Sequence, residues 1–285
     1  MSSSLGYYDI GMTTQFACQF DQRFSYWMYV PKDYDENATK EYPVAVLVHG
    51  THRRGMMYRD MFMEFGEKHK CIILAPQFPA GIEDPKDLGN YKFLKYRDIR
   101  FDTILLSMID EISQKYRIAE KALMLFGFSG GAHFVHRFFY LHADRMIGLS
   151  VGAPGMVTLL DDSIKWHCGT GGMAEHFDQP ILLNDMRKTP VQMVIGGDDT
   201  ETWEITIKPS SPLWMEGAND AGTNRLERMV SLKTSFENNG IVVRHDIVPG
   251  IGHDSVPMMP SVQTFFADCL NKAGFNDAST TGGEG

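Results

Sequence analysis

The run Leu125-Phe126-Gly127-Phe128-Ser129-Gly130-Gly131 constrains this chain more than any other part of it. It is a Gly-x-Ser-x-Gly pattern set between an apolar stretch and an amphipathic one, which predicts a serine on a sharp strand-to-helix turn. Such a turn strains the serine backbone, and Gly127 and Gly131 remove the side chains that would collide where strand and helix nearly touch. The hydroxyl then stands clear of the sheet, facing the unpaired N–H groups and the positive dipole end of the helix. The placement, more than the letters, carries the reading.

Around this turn, short apolar runs rich in β-formers alternate with longer amphipathic stretches, the pattern of a mostly parallel sheet flanked by helices. Alternating side chains predict an antiparallel pair over 15–20 and 25–30, and apolar runs predict strands over 44–48, 71–74, 122–126, 146–151, 191–195 and 241–248. Leu105, Met108, Ile109 and Ile112 recur at helical spacing, as do Phe134, Phe138 and Leu141, and a further helix is expected over 226–236. Two stretches break the rhythm, 155–190 and 200–222, and are read as cap-like insertions that wall or cover a pocket. Trp203, Trp214, Met173 and Phe177 lie in them as candidate pocket residues.

Three more blocks carry chemistry. The strand 44–48 ends in His49-Gly50-Thr51, where a backbone N–H could join that of Gly130 to bind an oxyanion. Thr51 is the expected donor, with His52 as the alternative, and His49 is read as structural. His52-Arg53-Arg54 is a solvated loop that could also hold an acidic substrate group, which makes His52 a candidate substrate contact. The strand 191–195 runs into Gly196-Gly197-Asp198-Asp199, and a Gly-x-x-Asp spacing favours Asp199 over Asp198 as a carboxylate. Finally, Val248-Pro249-Gly250-Ile251-Gly252-His253 is a glycine-rich loop whose flexible neighbours let the imidazole reach across the sheet. A serine nucleophile needs such a histidine as base, and the histidine needs a carboxylate to fix its tautomer.

Composition narrows the partners. The 285 residues, 43% hydrophobic, suit one α/β domain with insertions over 1–275, followed by an unordered polar tail over 276–285. A net charge of −9 disfavours nucleic acid and anionic membranes. No apolar run reaches the roughly 18 residues of a membrane span, and the first residues lack the basic and apolar regions of a secretory leader. Cys18, Cys71, Cys168 and Cys269 are widely spaced, which predicts reduced structural thiols and no zinc site. His133 and His136 stand three apart on one helix, but no third ligand is near, so packing roles are expected and no metal.

The four blocks, in this order, resemble the α/β-hydrolase superfamily over residues 24–272, in which the triad runs Ser, then acid, then His. Tyr29-Val30-Pro31 before Tyr42-Pro43, the helix over 102–116 and the double glycine after Ser129 are similar to the polyhydroxybutyrate depolymerase, feruloyl esterase and dienelactone hydrolase-like branch. The resemblance implies an α/β-hydrolase fold with a mostly parallel eight-stranded sheet. It also implies Ser129 as nucleophile, His253 as base and acid, Asp199 as orienting carboxylate, and Gly130 with Thr51 as oxyanion donors. Secreted depolymerases of that branch carry leaders, disulfides and polymer-binding modules, which this chain does not display. The expectation is therefore a cytoplasmic, cofactor-free serine hydrolase of a small soluble ester or lactone. An amidase or peptidase on the same triad and a non-catalytic ligand-binding protein of the same fold are the alternatives.

Overall fold

Strands buried on both faces need continuous apolar runs, and the centre of this sheet is built from them. Val44, Ala45, Val46, Leu47 and Val48 are completely buried, as are Leu123, Met124, Leu125 and Phe126. The structure, a computed structural model, describes residues 5–275. The expectations made for residues 1–4 and for the tail 276–285 lie outside that range.

The chain opens with β1 (Gly11–Met12), β2 (Phe16–Ala17) and β3 (Ser25–Val30), and both short strands pair antiparallel with β3. β4 (Tyr42–Val48) leads through α1 (Gly55–Met61) and α2 (Met63–His69) to β5 (Ile72–Gln77), which is parallel to β4 and antiparallel to β3. A small hairpin, β6 (Lys95–Tyr96) with β7 (Ile99–Arg100), precedes α3 (Phe101–Ser113). Then come β8 (Ile118–Phe128), α4 (Gly130–His142) and β9 (Met146–Gly152). α5 (Met173–Phe177) and α6 (Leu183–Met186) interrupt the long insertion before β10 (Val191–Gly196). α7 (Arg225–Asn238), β11 (Val243–Val248) and α8 (Met259–Lys272) complete the described chain.

Eight strands lie side by side in the order β1-β3-β5-β4-β8-β9-β10-β11, the expected number, and β2 pairs β3 off this path. Every strand anticipated from the sequence is present within a few residues. Five helices, α1, α2, α8 and the short α5 and α6, were not anticipated. α8 had a legible signal, since Val262, Phe265, Phe266, Cys269 and Leu270 repeat at helical spacing and are buried. The α1–α2 segment breaks at Phe62, and its methionines are exposed at Met56 and only partly buried at Met57, Met61 and Met63, which blurs the period. None of the described helices is long and apolar enough to cross a membrane.

Register is what makes a site possible here. Val48 of β4 aligns with Gly127 of β8, Phe128 with Gly152 of β9, and Gly196 of β10 with Val248 of β11. The loops after five parallel strands therefore leave the sheet along one edge, the edge where ligands bind in open α/β sheets.

Candidate active site

Ser129 sits at φ 54°, ψ −114°, between the end of β8 and the first residue of α4. Its N–H donates to Gly152 O at 2.8 Å, tying the strained turn to the neighbouring strand. The flanking glycines are sterically required. A Cβ on Gly127 would lie 2.3 Å from Gly131 O, and one on Gly131 would lie 2.2 Å from Val48 O. The helix thus starts directly against β4, and the Ser129 turn and the His49-Gly50-Thr51 loop are forced together.

Gly130 opens α4, so its N–H has no carbonyl one turn earlier to pair with. A Cβ there would meet Tyr91 Oη at 2.5 Å, Lys92 Cε at 2.9 Å and Thr51 Oγ1 at 3.1 Å, which puts Thr51 beside it. His49 is fully buried and accepts the Phe78 N–H at Nε2, 3.0 Å, so its proton rests on Nδ1, which donates to Gly50 O at 2.9 Å. Burial pushes its pKa down to about 3, so it is a neutral brace for the loop, as expected of a structural residue. Arg53 donates to Thr51 O at 2.6 Å, Leu88 O at 2.8 Å and Phe78 O at 3.2 Å. That guanidinium holds the loop in shape and has little left to offer an acidic ligand. His52 is exposed and outside the cavity lining.

His253 Nδ1 lies 2.6 Å from Asp199 Oδ2, and Asp199 is completely buried while Asp198 is exposed. The imidazole lies against the ring of Phe128, centroids 4.6 Å apart, the residue before Ser129 in the chain. Ser129 Oγ forms no hydrogen bond with His253 among the described residues.

Several residues of the site were not anticipated. Arg225, at the first turn of α7, is buried and donates to Asp199 Oδ1 at 3.1 Å and to Glu204. A cation at a helix N-terminus opposes the helix dipole, and here two carboxylates offset it. The signal that could have located it is Asn224-Arg225-Leu226-Glu227: Asn224 caps α7 by accepting the Glu227 N–H at 2.9 Å, fixing Arg225 as the first helical residue.

A cavity of about 390 Å³ opens over Ser129, Gly130 and Thr51 and is walled by Lys92, Phe93, His133, Met156 and Arg225. From the 200–222 stretch, Glu204, Ile205, Ile207 and Leu213 face it. Trp203 and Trp214, which the sequence put forward for this wall, are 74% and 48% exposed and do not line it. Met173 and Phe177 are core residues. His133 and His136 take packing roles, their Nε2 atoms accepting the N–H groups of Met156 at 2.9 Å and Thr158 at 3.1 Å. Among the described residues no group of three ligating side chains could hold a metal.

The chain matches no protein-family model and no curated protein. Solved structures are nevertheless similar along almost its whole length. The poly(3-hydroxybutyrate) depolymerase LpqC from Bordetella parapertussis is 22% identical, with 91% of each chain covered and a TM-score of 0.70. Poly(aspartic acid) hydrolase-1 from Sphingomonas sp. KT-1 is 20% identical over 86% of this chain and 93% of that one, TM-score 0.68. An S-formylglutathione hydrolase from Staphylococcus aureus is 11% identical over 90% and 97%, TM-score 0.60. At these identities the likeness establishes the architecture: this chain has the α/β-hydrolase fold, with a mostly parallel sheet and flanking helices.

Proposed function

We propose that this protein is a serine hydrolase that cleaves a carboxylic ester or lactone of a small soluble substrate through an acyl-enzyme. The observation that carries the reading is the strained Ser129 on the floor of a cavity, at the same sheet edge as a His253–Asp199 pair 2.6 Å apart. The depolymerase and hydrolase names of the structural neighbours support it.

Asp199 accepts the Nδ1 proton, which leaves His253 Nε2 as the basic nitrogen. As Ser129 Oγ attacks the substrate carbonyl carbon, its proton passes to Nε2, and the carbonyl oxygen becomes an oxyanion. The N–H groups of Gly130 and Thr51 are the donors for that charge, preorganised by the start of α4 and by the His49–Arg53 bracing of the loop. Collapse of the tetrahedral species breaks the carbon–oxygen bond of the ester, and the alcohol leaves with the proton from His253. Water then gives its proton to His253 and attacks the acyl-Ser129, and the acid departs as the proton returns to Oγ. No cofactor enters the cycle.

The test is hydrolysis of p-nitrophenyl esters of increasing acyl length, with Ser129→Ala alongside and a p-nitroanilide of the same acyl group for the amidase alternative. Wild type should turn over the esters and label with a fluorophosphonate, and Ser129→Ala should lose at least about a thousandfold in kcat while melting at the same temperature. Equal activity in the two proteins removes Ser129 from the mechanism. Tight binding of an uncleaved ligand, with no turnover by wild type, would favour the ligand-binding alternative.

A further inference from the structure

One wall of the cavity carries positive charge that the protein itself does not satisfy, with an unpartnered N–H buried behind it. Lys92 lines the cavity beside Gly130, and its ammonium makes no ion pair or hydrogen bond among the described residues. His133, also lining, is 6% exposed; its Nε2 accepts the Met156 N–H, so its proton is on Nδ1, and Nδ1 has no partner. Behind them the fully buried Arg137 donates to Lys92 O, His133 O and Thr158 Oγ1, stacks over Phe93 at 4.5 Å, and has no carboxylate partner among the described residues. Its Nη2 is likewise unpartnered.

Buried cations without counter-charges are costly unless an anion completes the site. The cavity's own carboxylate, Glu204, is engaged by Arg225. Burial, together with the nearby charges of Arg53 and Arg137 and against those of Glu204 and Asp87, draws the Lys92 ammonium down to about 8. It is therefore charged at neutral pH and lacks only a partner.

We infer that Lys92 forms an anion subsite for a carboxylate carried by the substrate beside its scissile ester, with the buried, unpartnered Nδ1–H of His133 and the Arg137 guanidinium adding positive potential from behind it. One unpaired ammonium matches a single carboxylate. The inference deepens the hydrolase reading above and rests on it for the word substrate.

The experiment compares two esters of one length, the mono-p-nitrophenyl ester of adipic acid, which is an anion, and its neutral methyl diester. Wild type is expected to favour the anion by about tenfold to a hundredfold in kcat/KM, the range for a hydrogen bond to a charged group. Lys92→Met should abolish the preference and Lys92→Arg should keep part of it. Binding is read separately by calorimetric titration of adipate into Ser129→Ala, with Lys92→Met added in the same background as the comparison. Hydrolysis of both esters with no preference, or an equal loss on both in Lys92→Met, overturns the subsite and leaves the hydrolase reading standing. Lys92-dependent adipate binding without hydrolysis of either ester does the reverse. Absence of both binding and preference overturns the subsite whatever the catalytic outcome.

Discussion

Arg225 holds the oxygen of Asp199 that His253 does not use, Nη1 to Oδ1 at 3.1 Å, and reaches Glu204 with its other terminal nitrogen. The carboxylate that orients the imidazole is thus itself fixed from the opposite side by a side chain delivered from α7. Arg225→Met should loosen that carboxylate and lower kcat by on the order of tenfold to a hundredfold, the scale of misplacing a catalytic group. Stability should fall by about 1–3 kcal/mol as buried partners are left unpaired. Arg225→Lys should rescue little, because one ammonium cannot span two carboxylates as a guanidinium fork does. Steady-state kinetics and urea unfolding of the two variants test this, and wild-type kcat in Arg225→Met would contradict it.

Asp198 and Asp199 are adjacent in sequence and opposite in environment. Asp199→Asn should reduce turnover about ten-thousand-fold, because the amide no longer enforces the tautomer that leaves Nε2 basic. Asp198→Asn, at an exposed position, should stay within about twofold of wild type. The reverse ranking in kcat/KM would move the carboxylate role to Asp198.

Gly130 has no room for a side chain. Gly130→Ala would press a methyl group onto Tyr91 Oη, 2.5 Å away, and onto Lys92 Cε and Thr51 Oγ1. The first turn of α4 would have to shift, and with it the proposed oxyanion donor, so turnover should drop by about a hundredfold. Overpacking adds a stability loss of about 1–3 kcal/mol. Tyr91→Phe in the same chain removes the nearest clashing atom and should recover part of the melting temperature; a single variant as active as wild type would refute the geometry.

Acid should destabilise this fold before its carboxylates begin to titrate. His49 is held down to about 3 and His133 and His136 well below the ordinary histidine value, all three chiefly by burial. In the unfolded chain these imidazoles take up protons below about pH 6.5, while in the folded protein they stay neutral. The stability they contribute is therefore complete above that pH and is lost as pH falls below it, each with a slope of roughly 1.4 kcal/mol per pH unit. Asp102, held down to about 2 by His142 and Arg100 against burial, adds a further loss only below the ordinary carboxylate range. Urea midpoints at pH 8, 7, 6 and 5 should be flat to about pH 7 and then fall steeply. An unchanged midpoint at pH 5 would show that these histidines are not buried neutral.

Local sterics and periodicity made much of this molecule legible from its residues. The elbow at Ser129 could be read because Gly127 and Gly131 have no alternative where β8, α4 and β4 touch. The strands could be read because a sheet buried on both faces demands unbroken apolar runs, and Asp199 could be preferred to Asp198 from a spacing within one turn. The cavity wall could not be read in this way. Trp203 and Trp214 were reasonable candidates, but the 200–222 stretch has no period, and the chain turns Ile205 and Ile207 inward instead. Arg225, Lys92 and His133 come from α7, from a short 3-10 turn (Asn90–Phe93) before α3 and from α4, and nothing local to any of them signals the others. Parallel register brings the strand ends to one edge, and packing on that edge decides which side chains meet there and which are left without partners. Sequence determined the turn and the sheet through short-range constraints; long-range packing alone determined the charge and shape of the pocket.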